Sequence, residues 1–467
     1  MHDSMPYDSW MHSAIDPVLQ YCVFVFRAEG GSDCYYKLGK VNSSGSEISW
    51  YRTAYGNTFF DAYSNAFPRV CWGKTISGNP VFLLTVQNPQ NNNFVIRGAK
   101  PVDQTESNGT LNQKLDLGTA SNVTGTADRY DIVWNEASTA FWMAHSWAGS
   151  GGTNDRQYLH KVVVADASPY TITASSTPGG NASGSGGAAI RACIDPSTYN
   201  IFTFVVKSNT VKMIPWTWTG STYTEGTMVD VVSNVYDVSG KTMQCAFDSV
   251  NNKICVTYSH SDEDGRVIVG DVSGATVTWG STPVEYLNAN VGGNTICFDK
   301  NLGRMFIAAR DEGSSNNARI FSGVTSGSGS SSTITFTSNS LQITGNSATQ
   351  YMTSIFDEVS NKVLFGWARD DENDKGRVNI IDLGSKTSNG NDENFIGFAK
   401  STVSNGATAT VKVVGNTTTQ SSLTPGQKYY LHMDGSVKLT AAGTNSGLST
   451  TIAGKALTST SLLITPA

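Results

Sequence analysis

The sequence predicts an all-β chain: a seven-bladed β-propeller of four-stranded antiparallel blades over residues 1–392, then a small all-β C-terminal module over residues 393–467. Composition, an internal repeat and the absence of helical periodicity carry that expectation. Glycine (46 residues) far outnumbers proline (13) and only 15% of residues are charged, which suits short strands joined by tight polar turns. With 467 residues and 39% hydrophobic content, the chain buries a substantial core and is too long for one simple sandwich.

The repeat is an apolar pair, an Asp and a turn. Its clearest copies are Cys193-Ile194-Asp195-Pro196, Ala246-Phe247-Asp248-Ser249, Cys297-Phe298-Asp299-Lys300 and Ile355-Phe356-Asp357-Glu358. A strongly apolar run follows each Asp and reads as a second strand: Ile201 to Val206, Ile254 to Tyr258, Met305 to Ala309 and Val363 to Trp367. A polar turn, a third strand such as Arg266 to Asp271, and a fourth such as Ala275 to Trp279 complete the unit. More divergent copies start at Ala14-Ile15-Asp16-Pro17, Cys71-Trp72-Gly73 and Val133-Trp134-Asn135. Seven copies result, spaced by roughly 50 to 60 residues, which is the range of four-stranded propeller blades.

The repeated Asp is expected to cap the backbone N–H groups of the turn after it. Cys71, Cys193 and Cys297 are expected as buried thiols on the innermost strands. Seven cysteines in a chain of this length are no disulfide framework. For the last blade, a fourth strand is expected either from Asn394-Phe395-Ile396-Gly397-Phe398 or from the residues before Trp10.

The C-terminal segment differs from the repeats. Gly406 to Gly415 alternates like a half-buried strand, Leu423-Thr424-Pro425-Gly426-Gln427-Lys428-Tyr429-Tyr430-Leu431 is a turn entering another, and Met433-Asp434-Gly435-Ser436 reads as a hairpin turn. The ordered series from Asn394-Phe395-Ile396-Gly397 through Leu423 to Tyr430, Asp434-Gly435 and Gly454-Lys455-Ala456-Leu457 to Leu462-Leu463-Ile464 resembles a module at the C-termini of phage virion and tail-fibre-like proteins. The resemblance implies a component of a virus particle assembled in the host cytoplasm.

No chemical motif stands out: the chain has no phosphate-cradling loop, no His-Glu-x-x-His, no Cys-x-x-Cys pair and no Gly-x-Ser-x-Gly elbow. Carboxylates are plentiful, yet nothing in the sequence fixes two of them about 5 to 9 Å apart as glycoside hydrolysis requires. The expectation is therefore a protein without enzymatic activity. A net charge of −6 argues against nucleic acid as a partner. No window of about 18 apolar residues suggests membrane insertion.

One positional regularity suggests a binding face. At the end of the second strand of successive repeats stand Arg27, Trp147, Lys207, His260, Arg310 and Arg369, with Gln87 nearest in the second repeat. In a propeller these converge on one face around the central channel. The loops beyond them carry Glu29, Asp33, Asp155, Asp262, Glu263, Asp264, Asp311, Glu312, Asp370, Asp371, Glu372 and Asp374, so a divalent cation is the one cofactor the pattern allows. The expected function is a tail-fibre-like or adaptor protein, homo-oligomeric, contacting other virion proteins and a glycan or protein receptor on the host surface. The alternatives are a tail-associated depolymerase and a carbohydrate-binding lectin or adhesin.

Overall fold

The structure, a computed structural model, describes residues 11–27, 34–42, 45–51, 68–88, 93–105, 111–118, 121–124, 130–147, 154–166, 170–183, 190–236, 243–314, 316–336, 341–342, 349–369, 375–382, 398–399, 411–412, 417–431, 437–438 and 452–464. The chain divides into two compact units, Met1–Ile381 and Asp382–Ala467. The boundary expected at residues 392 and 393 lies outside the described residues. Among the described residues, regular structure is β-strand apart from two 3-10 turns, Glu136–Ser138 and Gly329–Ser331.

The first unit has a β-propeller architecture of successive antiparallel meanders. Their innermost strands are Met11–Ile15, Arg69–Lys74, Tyr130–Asn135, Ile190–Ile194, Gln244–Asp248, the second half of Val284–Asp299, and Thr349–Asp357. Each pairs with a second strand: Tyr21–Arg27, Pro80–Asn88, Ala140–Trp147, Ile201–Lys207, Lys253–Ser259, Arg304–Asp311 and Lys362–Arg369. The fifth and sixth meanders form one continuous sheet, because Val284–Asp299 pairs with Asp264–Ser273 through its first half and with Arg304–Asp311 through its second. The last meander has three strands among the described residues. Of the two expected sources of a fourth, the residues before Trp10 and Asn394 to Gly397 lie outside the described residues, while Phe398 pairs with Lys412 in the second unit.

The repeated Asp builds the turn between first and second strands. Asp16 Oδ1 accepts from Val18 N and Leu19 N, Asp195 Oδ1 from Ser197 N, Asp248 Oδ1 from Val250 N and Asn251 N, Asp299 Oδ1 from Asn301 N and Leu302 N, and Asp357 Oδ1 from Val359 N. Asn135 does the same for Ser138 N. Four residues after each of these caps, the backbone turns left-handed, at Gln20, Thr139, Tyr199, Asn252, Gly303 and Asn361. Only in the second repeat is the cap a threonine, Thr75, whose Oγ1 accepts from Asn79 N, and the left-handed residue is Gly78. That changed turn places Cys71 four residues before its cap, whereas Cys193 and Cys297 stand two before theirs.

The second strands read as unbroken apolar runs because both of their faces are covered. Val23 and Val25 pack with Phe82, Leu84 and Val86 of the next meander. The alternate residues Cys22, Phe24 and Phe26 pack with Leu364 of the last one. Equivalent layers join each following pair, as in Phe141 and Met143 with Val81 and Leu83, and Trp142 with Trp216. Hydrogen bonds tie the last meander to the first: Ser13 Oγ lies 2.9 Å from Thr353 Oγ1, and Gln20 Nε2 donates to Asp357 Oδ1 at 3.1 Å. Gly366 stands so close to Phe24 that a Cβ there would come within 2.7 Å of its ring.

The second unit includes an antiparallel sheet of Thr417–Thr419, Ser461–Ile464, Ile452–Ala456, Lys428–Leu431 and Val437–Lys438, in that order. Pro425-Gly426 forms a type II turn: Gly426 has φ 83° and Gln427 N donates to Thr424 O. Leu431 faces Val437 across an antiparallel pair, as a hairpin requires, with the intervening Met433 to Ser436 outside the described residues. Leu423, Tyr429, Ala456, Leu462 and Ile464 are buried in this unit.

Candidate functional site

All innermost strands of the first unit contribute to one cavity of about 220 Å³. Its polar lining includes His12, Arg69, Asp131, Arg191, Gln244, Thr295 and Thr353, joined by Arg310 from a second strand. Six of these fall four residues before the capping Asp or Asn of their repeat: His12, Asp131, Arg191, Gln244, Thr295 and Thr353. Period-2 alternation puts that position on the same face of the strand as the cap. Arg69 occupies the corresponding place in the second meander, whose turn is altered.

Each of these side chains is held. Arg191 Nε donates to Gln244 Oε1 at 2.8 Å and its Nη1 to the Ile190 carbonyl at 2.7 Å, so its guanidinium bridges two innermost strands. Asp131 accepts from Ile132 N at 3.0 Å and, across the strands, from Ala192 N at 2.9 Å. Arg69 is 6% exposed, donates through Nη1 to the Pro68 carbonyl, and has Nε 3.9 Å from Asp131 Oδ1. His12 Nδ1 donates to Val70 O at 3.0 Å. Burial, reinforced by Arg69 and Arg191, pushes the His12 pKa well below the usual histidine range, so its ring is neutral near pH 7.

Two β-bulges shape the cavity wall. In Val284–Asp299 the register slips between Val291 and Asn294, at Gly292-Gly293. In the adjacent Thr349–Asp357 it slips between Gln350 and Met352, and the extra residue, Tyr351, has φ 41°. A left-handed conformation is strained for an aromatic residue, and such outliers concentrate at functional sites, as bulges do. Gly292 leaves room for its neighbours: a Cβ there would meet the flexible side-chain ends of Arg310 and Glu312, which are paired with each other.

The strands are antiparallel, so the ends of the second strands lie on the rim where the innermost strands begin, as in Met11 opposite Phe26 and Thr349 opposite Arg369. Among the described residues, Arg310 is the predicted one that lines the cavity. Lys207 ends its strand nearly buried, opposite Thr210. His260 has Nδ1 2.6 Å from Asp262, which also binds Arg266. The side chains of Arg27, Gln87, Trp147 and Arg369 lie outside the described residues. Of the acidic loop residues, Glu312 pairs with Arg310 and Asp311 with Arg319 at 2.6 Å. Among the described residues no three His, Cys, Asp or Glu side chains are grouped to hold a metal ion.

Five of the cysteines are poor nucleophiles. Burial pushes Cys22 and Cys297 up to about 12 and raises Cys71, Cys245 and Cys255 as well. A pKa of about 12 leaves roughly one thiol in ten thousand ionised at pH 8. Iodoacetamide at pH 8 is therefore expected to label these five positions in urea-unfolded chain and to leave them unlabelled in native chain, checked by mass spectrometry of tryptic peptides. Rapid native labelling of Cys22 or Cys255, both fully buried, would contradict this reading.

No family model and no curated protein matches this chain. Several solved structures are similar in chain path. The fucose-specific lectin from Aleuria aurantia aligns at 11% identity and TM-score 0.41 over 71% of this chain and 96% of its own. AofleA from Arthrobotrys oligospora aligns at 12% and 0.41 over 73% and 90%, and the Dos1 propeller at 10% and 0.40 over 82% and 94%. The chemistry of the cavity stands on this chain's own residues.

Proposed function

We propose that residues 11–381 form a closed seven-bladed propeller that binds carbohydrate in its central cavity without turning it over. The observation that carries this reading is the pair of adjacent bulges, which brings Tyr351 to a cavity whose polar lining includes hydroxyl, amide and guanidinium groups. An apolar ring face beside hydrogen-bonding groups matches a sugar, with one C–H face and a belt of hydroxyls. Closure of the ring is supported by the Ser13 to Thr353 and Gln20 to Asp357 bonds. Binding without catalysis is supported by Asp131, whose two oxygens are both engaged by backbone N–H groups and so act as a rivet between strands.

The test is a glycan array probed with the intact chain, followed by titration of the best oligosaccharide against Tyr351→Ala. Loss of a stacking ring is worth about 1 to 2 kcal/mol, so affinity is expected to fall roughly tenfold. An array without signal, or a variant that binds like the wild type, would remove this reading.

A place in a virus particle is the second reading, and it rests on the C-terminal segments. The Pro425-Gly426 turn and the Lys428–Leu431 strand, read in sequence as part of that module, fold as a turn entering a strand. In this reading the second unit attaches the chain, as a homo-oligomer, to other particle proteins, and the propeller faces a host glycan.

A further inference from the structure

We propose that the ligand is an acidic sugar whose carboxylate is held between Arg69, Arg191 and Arg310. This deepens the carbohydrate reading above and depends on it. The chain as a whole is acidic, with a net charge of −6, yet its central cavity brings together three guanidinium groups from three different meanders. Among the described residues two negative groups lie beside them: Asp131 in the lining and Glu312, paired with Arg310. Among the described residues, three positive charges stand beside two negative ones. His12 adds none, since burial and the neighbouring arginines keep it neutral.

The arginines are also set in advance. Arg191 is fixed from one side by Gln244 and the Ile190 carbonyl. Arg69 is nine-tenths buried, and its Nε has no hydrogen-bond partner. Such a buried donor is costly to leave unpaired and gains most from an arriving anion. Arg310 lies across Gly292 because no Cβ stands in its way. Planar guanidinium groups held in place recognise a planar carboxylate at low entropic cost. A cavity of about 220 Å³ lies below the usual 300–1,000 Å³ of drug-sized sites, so it takes about one sugar ring. The expected epitope is thus a single acidic residue, terminal in its chain.

The test compares three forms of one oligosaccharide on the full chain by calorimetry: terminal acidic sugar, its carboxyl methyl ester, and its neutral carboxyl-reduced counterpart. The acid is expected to bind at least tenfold more tightly than either derivative, with affinity falling as salt rises. Gly292→Ala, which displaces the flexible side chains of Arg310 and Glu312 while keeping every charge, is expected to lose that preference at unchanged melting temperature. Arg191→Gln serves as a second variant, scored only on the ratio of acid to ester binding. Equal binding of acid and ester would overturn the carboxylate assignment and leave the carbohydrate reading standing. Tighter binding of a sugar phosphate than of the acid would overturn it in favour of a phosphate ligand. Failure of all glycans to bind would remove both.

Discussion

Asp248→Ala is expected to lower the stability of the first unit by about 3 to 5 kcal/mol, read from urea unfolding of the intact chain followed by tryptophan fluorescence. Asp248 is 1% exposed and its carboxylate serves four donors. Val250 N and Asn251 N meet Oδ1, each at 2.9 Å. Asn251 Nδ2 meets Oδ2 at 3.0 Å, and Thr325 Oγ1, from the next meander, donates to the same oxygen. The alanine variant leaves these donors unpaired in a dry turn and cuts the tie between neighbouring meanders. Asp248→Asn keeps an acceptor for the backbone and is expected to recover about half of the loss. A loss below about 1 kcal/mol for the alanine variant would mean that strand packing alone sets the turn.

Acidification is expected to cost the fold about 3 kcal/mol between pH 6.5 and pH 4, through His160. His145 and His160 face each other on paired strands of the third meander with Nε2 atoms 2.6 Å apart, in a stack completed by Tyr158. Phe94 of the second meander closes the site, its ring 5.0 Å from that of His145. A contact this short is one N–H donating to the other ring's lone pair, so the accepting ring is neutral. Burial pushes His160 down to about 4. In the unfolded chain it titrates near 6.5, so between these values the unfolded state binds the extra proton and stability falls as pH falls. Above pH 6.5 the contribution is fully present. His12, lowered for the same reason of burial, acts in the same direction. Thermal melts from pH 7.5 to pH 4 are expected to fall steeply for the wild type and less steeply for His160→Gln. Parallel profiles would exclude His160 as the source.

The sequence displayed the blade-building parts of this protein because they are local. An Asp that caps the N–H groups two and three places on, and a left-handed residue four places on, are properties of five consecutive residues. They repeat visibly wherever the turn repeats. The second strands showed as apolar runs because each meander presses on both neighbours, leaving no polar face to alternate. The Pro425-Gly426 turn was legible for the same local reason.

The candidate site was legible only in part. Attention to the ends of the second strands found Arg310 and passed over Arg69, Asp131, Arg191 and Gln244. A signal was there: aligned on the capping residue, the fourth position before it reads His, Asp, Arg, Gln, Thr and Thr in six repeats. It is hidden because these residue types share no chemistry, and Arg69 sits two places out of step where Thr75 replaces the Asp. Gly292-Gly293 and Tyr351 gave no warning at all, since a bulge is set by how two strands pair.

By itself, then, the sequence determined an all-β chain, the repeated capped turn and the strands that follow it, because backbone capping and side-chain alternation act over a few residues. Tertiary structure alone decided that residues tens to hundreds of positions apart, from His12 to Thr353, line one cavity. It also decided that three arginines meet there inside an acidic protein. That juxtaposition depends on meanders packing on one another, and no stretch of sequence contains that information.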